Sequence, residues 1–278
     1  MRLGWFSTGR DTQARRLLET TCESIIAGTL GDIKISCVFV NRDEGESAQT
    51  DQFVQTVRNL GIPLVFFSSQ QFQPHLREVA LRKPLTAQSE QMITQWRDSY
   101  DKEVLLRLTP YKLDAVFLAG YMLIMGPQLC QKIPILNLHP ALPGGPKGSW
   151  QEVIWQLITE KCQESGIMIH RVTSELDAGP TIAYCRFPIH GKQFDFLWRN
   201  MEKKLTHGTI ETVREREGEN EPLFHAIREQ QVRHEIPLIL ETMSLLGTAR
   251  IDPANPGKPH FVELFQLDFE NGNREQER

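Results

Sequence analysis

The chain has 278 residues, 40% of them hydrophobic and 24% charged, with a formal net charge of −4. That length suits one α/β domain, or one large domain with a smaller appendage, and the composition is ordinary for a globular enzyme. A mildly acidic chain without a domain-sized basic block argues against nucleic-acid binding, which draws on a concentrated basic face to displace counterions.

No stretch approaches the ~18 apolar residues of a membrane span. Nothing after Met1 has the long apolar core of a signal peptide. The expectation is a cytoplasmic protein that acts on small molecules, without nucleic acid or membrane, and with its oligomeric state open. The five cysteines, Cys22, Cys37, Cys130, Cys162 and Cys185, are odd in number and form no C-x-x-C pair. This argues against a disulfide framework and against a metal site, and predicts buried thiols.

Leu3 to Phe6 reads as a short buried strand, followed by the polar loop Ser7 to Thr12. Ala14, Leu17, Leu18, Cys22, Ile25 and Ile26 then recur at helical spacing, with Asp11 or Thr12 as N-cap. Ile33 to Val40 is a second strand, rich in β-branched residues. Residues 50–60 predict a helix, Gly61-Ile62-Pro63 a turn, and Leu64 to Phe67 a third strand. Strands alternating with helices imply βαβ crossovers and a parallel sheet.

Residues 68–98 read as irregular and polar, interrupted by Pro74 and Pro84. A helix is expected over 99–109, then strands at 114–120, running into Tyr121 to Met125, and at 135–140. Ser149-Trp150-Gln151-Glu152 is a capping box that opens a helix. Gly166 to Val172 and Thr181 to Phe187 predict two strands, antiparallel given their short connection. One charged helix is expected over 194–216, a break at 218–222, and a second helix over 223–246 with Pro237 as a possible kink. From Asp252 the tail is rich in Pro, Gly and charge, and 271–278 read as disordered.

Ligands of open parallel sheets sit beyond the carboxyl ends of the strands. Asn137 and His139 close the fifth strand, two apart and so on one face. Asp177 lies in a tight loop between two later strands. A Pro follows His139, and Gly179-Pro180 follows closely on Asp177, which stiffens both positions. By themselves these are turn residues and a lone histidine. His75, His190, His207, His225 and His260 have no visible partner.

Asn137-Leu138-His139-Pro140, with Leu142-Pro143 and Glu175-Leu176-Asp177-Ala178-Gly179-Pro180, resembles the formyltransferase superfamily, and within it the glycinamide ribonucleotide transformylases. The segments Asp114 to Met125 and Ser165 to Pro180 look like the corresponding family segments, and the resemblance covers roughly 2–190 and loosely 223–251. It implies a mostly parallel, twisted Rossmann-type α/β core over 1–190, a helical extension over 191–251, and a tail over 252–278. It also implies formyl transfer from the co-substrate 10-formyltetrahydrofolate to a primary amine, most simply glycinamide ribonucleotide in purine synthesis, without a metal. Another amine acceptor, or water in a hydrolase, is the alternative.

By the same resemblance, Asn137 donates to the tetrahedral oxyanion, His139 shares in that stabilisation and in proton transfer, and Asp177 holds the histidine and relays protons. The donor's pterin is expected between Tyr121, Met122, Leu123, Ile124 and the Thr173–Asp177 loop, with Thr173 and Leu176 as contacts. The family often has Arg where this chain has Leu123.

Acceptor contacts are expected from Thr8, Gly9, Arg10, Pro140, Gln231 and His234. Here the chain departs from the family's S-G-x-G-S/T-N loop. It has Ser7-Thr8-Gly9-Arg10-Asp11-Thr12, so Arg10 is expected to supply a phosphate contact that backbone N–H groups would otherwise give. Ala141 replaces a usual Ser, and Lys147 is a further candidate anion contact.

Overall fold

The computed structural model describes residues 1–82, 86–173 and 175–264. Five parallel-forming strands come first: β1 (Arg2–Ser7), β2 (Lys34–Val40), β3 (Leu64–Phe66), β4 (Ala115–Leu118) and β5 (Ile135–His139). They are followed by β6 (Glu164–Arg171), β7 (Thr181–Pro188) and β8 (His260–Phe261). The sheet order is β3-β2-β1-β4-β5-β6-β7-β8. β1 pairs in parallel with β2 and β4, β2 with β3, β4 with β5, and β7 with β8. The expected mostly parallel α/β sheet is therefore the fold. Its central strands are buried on both faces, which is why they read as continuous apolar runs.

The helices are α1 (Thr12–Ile26), α2 (Ala48–Asn59), α3 (Pro74–Leu81), α4 (Ala87–Leu108), α5 (Pro127–Lys132), α6 (Trp150–Thr159), α7 (Asp195–Leu205), α8 (Ile210–Glu217) and α9 (Pro222–Gly247). Asp11 caps α1 by accepting from the Ala14 N–H, and Ser149 with Glu152 forms the expected capping box of α6.

Several elements differ from the sequence reading. Of the stretch 68–98, read as irregular, Pro74–Leu81 form α3 and 87–98 the first half of α4. Pro74 opens α3 from the first turn, where its missing N–H leaves nothing unpaired. Thr86 and Ser89 cap each other at the start of α4. Pro84 lies outside the described residues. Tyr121 to Met125 do not extend β4, and α5 follows them. The single charged helix over 194–216 is two helices, because Thr209 and Thr212 form a capping box that restarts the chain as α8. α9 runs through Pro237. β8 was not anticipated, and residues 271–278 lie outside the described residues.

Two compact units make up the chain. The first comprises Met1–Leu138, Ile169–Ile182 and Ile239–Pro259. Its core packs Phe6, Phe39, Val65, Trp96, Tyr100, Val116 and Ile135. Trp96 and Tyr100 stack at 5.2 Å, and Tyr100 stacks on Phe67 at 4.9 Å. Their polar ends stay satisfied: Trp96 Nε1 donates to the Phe72 carbonyl at 2.9 Å and the Tyr100 hydroxyl to the Phe67 carbonyl at 2.5 Å.

The second unit comprises His139–Met168, Ala183–Leu238 and, among the described residues, 260–264. There Phe224 of α9 packs on Trp155 and Trp150 of α6 at 5.0 and 5.8 Å. Lys204 bridges Glu217 and the buried Glu221, which also accepts from the Phe224 N–H at the start of α9. All five cysteines are free, three of them buried. Burial pushes the thiols of Cys37 and Cys185 up to about 12.

Candidate active site

The register of β4 on β5 pairs Leu118 with Asn137 and so sets the asparagine at the end of the parallel core. Within the same unit, His170 is the last residue but one of β6, with its side chain 1% exposed. Its Nε2 lies 3.2 Å from Asn137 Nδ2 and 3.5 Å from Asp177 Oδ1. Its Nδ1 lies 3.2 Å from the Arg171 carbonyl. Asn137 and Asp177, singled out from the sequence, are thus brought together by a histidine that was not.

The loop that carries Asp177 is tightly bent. Asp177 has φ 47°, a left-handed conformation that Asp tolerates better than most residues. A Cβ on Gly179 would stand 1.7 Å from the Arg171 carbonyl oxygen, so only glycine passes there. The Asp177 carboxylate, 7% exposed, is held against the ring as a result.

One ring nitrogen plays one role at a time. When neutral, with Nδ1–H directed at the Arg171 carbonyl, Nε2 accepts one amide proton of Asn137. The second amide proton of Asn137 then stays available for a ligand oxygen. The same Nε2 also faces the Asp177 carboxylate at 3.5 Å, so the ring stands between the amide and the acid.

His139 belongs to the second unit and is 3% exposed. Its Nε2 lies 2.8 Å from the Pro146 carbonyl. That contact ties the ring to the Gly-rich loop after β5. The loop is also braced from α9: Gln231, fully buried, donates through Nε2 to the Pro140 carbonyl at 3.0 Å. Gln231 Oε1 meets no donor among the described residues. His234 stacks on Phe187 at 4.4 Å and lies 2.7 Å from the Gln230 carbonyl. Burial pushes its pKa down and favours the neutral ring. The structure places both α9 residues as internal braces of this unit.

The expected donor segment shows an in–out alternation in the first unit. Tyr121 and Leu123 turn inward onto the core, Tyr121 beside Phe6 at 5.6 Å. Met122 and Ile124 are 48% and 46% exposed, and Leu176 is 49% exposed. Exposed apolar side chains next to polar groups suit the face of a flat aromatic ligand. Thr173 spends its hydroxyl on the Glu175 carbonyl at 3.1 Å. The far end of the segment is anchored by Asp101 of α4. Its carboxylate accepts from the Leu129 and Gly126 N–H groups, and burial raises its pKa to about 7.

The loop after β1 uses its polar groups internally. Thr8 N–H donates to the Gly120 carbonyl at 3.1 Å, and Gly9 N–H to Ser7 Oγ at 3.0 Å. Gly9 has φ +63°, and a Cβ there would meet Phe53 at 2.8 Å. Asp11 Oδ1 takes the Ala14 N–H at 2.8 Å, so a carboxylate already caps α1. Arg10 Nε stands 3.8 Å from Asp11 Oδ2, and both side chains are solvent-accessible.

A family model described as formyl transferase matches residues 34–203, more than half of the chain. The chain belongs to this family. Among its relatives, phosphoribosylglycinamide formyltransferase of Escherichia coli (strain K12) is 35% identical over 95 residues, which cover 34% of this chain and 44% of that protein. The protein of the same name from Dictyostelium discoideum is 35% identical over 107 residues, covering 35% and 52%. The matched stretches thus span about half the length of these curated relatives.

Solved family structures agree in fold. Glycinamide ribonucleotide transformylase 1 from Symbiobacterium toebii superposes with a TM-score of 0.59 at 18% identity, covering 90% of this chain and 89% of that one. Phosphoribosylglycinamide formyltransferase from Bacillus halodurans gives 0.56 at 22% identity, covering 88% and 95%.

His170 is the functional candidate that the sequence reading missed. A signal was present: a histidine directly after the buried run Ile167-Met168-Ile169 must find a polar partner. Asp177 stands seven residues further on.

Proposed function

We propose that this formyl transferase family member moves the formyl group of 10-formyltetrahydrofolate to a primary amine, with glycinamide ribonucleotide as acceptor in de novo purine synthesis and the cytoplasm as its compartment. The observation that carries this reading is the Asn137–His170–Asp177 corner around the buried His170, in a chain whose curated relatives bear the name phosphoribosylglycinamide formyltransferase.

The chemistry follows from the groups present. The amine nitrogen attacks the formyl carbon, a C–N bond forms, and the carbonyl π pair moves onto oxygen. The amide proton of Asn137 that His170 leaves free would meet that oxyanion, a contribution of ~3–4 kcal/mol for a well-placed donor. The C–N10 bond of the donor then breaks, N10 keeps the electron pair, and the ammonium proton must reach it. By the family resemblance, His139 and Asp177 are assigned to that proton, Asp177 through a water. The products are a formamide and tetrahydrofolate, and no step calls for a metal. Met122, Ile124 and Leu176 would cover the donor's ring system.

One observation favours a second reading of the acceptor. The N-terminus of α1, where N–H groups and the helix dipole ordinarily welcome a phosphate, is capped by the carboxylate of Asp11. An amine without a phosphate is the acceptor class that this loop admits without repulsion.

The test is incubation with 10-formyltetrahydrofolate and, separately, glycinamide ribonucleotide, an amino sugar nucleotide and unphosphorylated amines, followed by folate absorbance and product mass. Formylation of glycinamide ribonucleotide well above all others supports the first reading. Formylation only of an unphosphorylated amine selects the second. Tetrahydrofolate release at the same rate without any amine sinks both and makes the chain a hydrolase.

A further inference from the structure

The ladder between β1 and β4 does not stop where the strands stop. Phe6 faces Leu118 in the last register pair. Beyond it, the Ala119 N–H donates to the Phe6 carbonyl at 3.0 Å, and the Thr8 N–H donates to the Gly120 carbonyl at 3.1 Å. The next rung is not backbone to backbone. The Met122 N–H donates to Thr8 Oγ1 at 2.9 Å, across 114 residues of sequence.

Thr8 is 2% exposed, and each of its polar groups is engaged. Its carbonyl accepts from the Thr50 hydroxyl of α2 at 3.1 Å. The backbone conformation explains why a side chain is needed. Gly9 and Gly120 both have positive φ, +63° and +67°, so the two chains turn away from the sheet just beyond β1 and β4. Backbone groups can no longer face each other, and a hydroxyl spans the widening gap.

We infer that Thr8 is a positioning residue for the donor-binding segment: its hydroxyl fixes the backbone at Met122 and thereby sets the outward stance of Met122 and Ile124. This assignment rests on the proposed donor role of Tyr121 to Ile124. It also moves Thr8 from the acceptor, where the sequence places it, to the donor side. Asp101 holds the other end of the segment through Gly126, so Thr8 and Asp101 clamp the stretch between them. Removing the hydroxyl leaves a backbone N–H without its partner, a loss on the order of a tenfold change in an equilibrium.

The test compares wild type, Thr8→Val and Thr8→Ser. Val keeps the shape and removes the acceptor, whereas Ser keeps the acceptor. Two readouts are taken: amide hydrogen exchange at Met122, with Trp5 and Phe117 as fold controls, and binding of 5-formyltetrahydrofolate as a stable folate probe. In Thr8→Val, exchange at Met122 should quicken about tenfold with Trp5 and Phe117 unchanged, and folate affinity should fall about tenfold. Thr8→Ser should match wild type in both, whereas in Thr8→Val turnover should show the defect in donor KM while kcat stays within about twofold.

Unchanged exchange at Met122 in Thr8→Val overturns the anchor. Faster exchange with unchanged folate affinity overturns the positioning role while leaving the formyl-transfer reading intact. A wild type that binds no folate overturns the functional reading itself, and donor positioning with it.

Discussion

The loop after β1 and the loop after β6 each leave a strand end that lies in the first unit, yet they spend their polar groups in opposite ways. Between Ser7 and Asp11, the Thr8 and Gly9 N–H groups, the Thr8 hydroxyl and the Asp11 carboxylate all find partners inside the protein. Around Asp177, one ring nitrogen of His170 faces both an amide N–H and a carboxylate, and it can accept from the first or donate to the second but not both. The first loop is a finished structure. The second gathers an amide, an imidazole and a carboxylate, groups that a charge-developing reaction can use. On the proposed reading, the formyl-transfer chemistry draws on the corner around Asp177, and the first loop positions and discriminates.

The most forceful way to break this comparison is to remove the chemical groups. His139→Ala, Asn137→Ala and Asp177→Asn should each lower kcat by ~10² or more, the usual size of general acid–base and oxyanion contributions. Circular dichroism should show the fold retained. Near-wild-type turnover in any of the three takes that residue out of the mechanism.

His170 should matter less, because it acts through its neighbours. In His170→Ala the amide of Asn137 loses its orienting partner, and kcat should drop roughly tenfold, by about one hydrogen bond's worth. Donor KM should stay near its wild-type value. Partial recovery in His170→Gln, which restores an acceptor, would tie the effect to Asn137. An equal loss in both KM and kcat would point instead to a collapsed site.

The contrast between the loops also marks what could be read from sequence. β1, β2, α1 and the Ser149–Glu152 box follow from local patterns, apolar runs and caps that need no distant partner. Asn137 and Asp177 came from motif resemblance. The errors share a cause. Pro74 was read as an interruption although it opens a helix, and Thr209 with Thr212 was passed over because Thr, rather than Glu or Gln, stands at the third helical position. His170 escaped, and Thr8 was placed with the acceptor, because Asn137 and Met122 lie 33 and 114 residues from them and no spacing rule reaches across strands.

A smaller effect concerns pH and the donor segment. Asp101 has its pKa raised to about 7 by burial, against the pull of the Leu129 and Gly126 N–H groups, which favour the charged form. The folded protein therefore keeps a proton that the unfolded chain loses near the ordinary carboxylate value. On that account Asp101 makes stability fall as pH rises from ~4 to ~7, and contributes no further slope above. Asp101→Asn should flatten the Tm profile over that window and leave it unchanged in slope above pH 8. An unchanged profile below pH 7 would assign the slope to other groups.

The smallest expected shifts sharpen the comparison most, because they ask what the first loop discriminates. Asp11→Asn keeps a good N-cap while removing the charge, so the helix should hold its stability. Arg10→Ala removes the nearest cation. Both side chains are solvent-accessible, and solvent screening confines their influence to a few-fold. If the acceptor presents a phosphate to the start of α1, the two substitutions pull in opposite directions. Arg10→Ala should raise the KM of glycinamide ribonucleotide about fivefold, and Asp11→Asn should lower it by a similar factor. Donor KM should be unmoved in both. That mirror-image pair is the expected result for the purine acceptor, and steady-state kinetics at two salt concentrations would show it shrinking as screening increases. Acceptor KM values that stay flat in both variants would mean that Arg10 merely accompanies Asp11 on the surface. The carboxylate would then stand where a phosphate never comes, and the unphosphorylated amine becomes the acceptor to pursue.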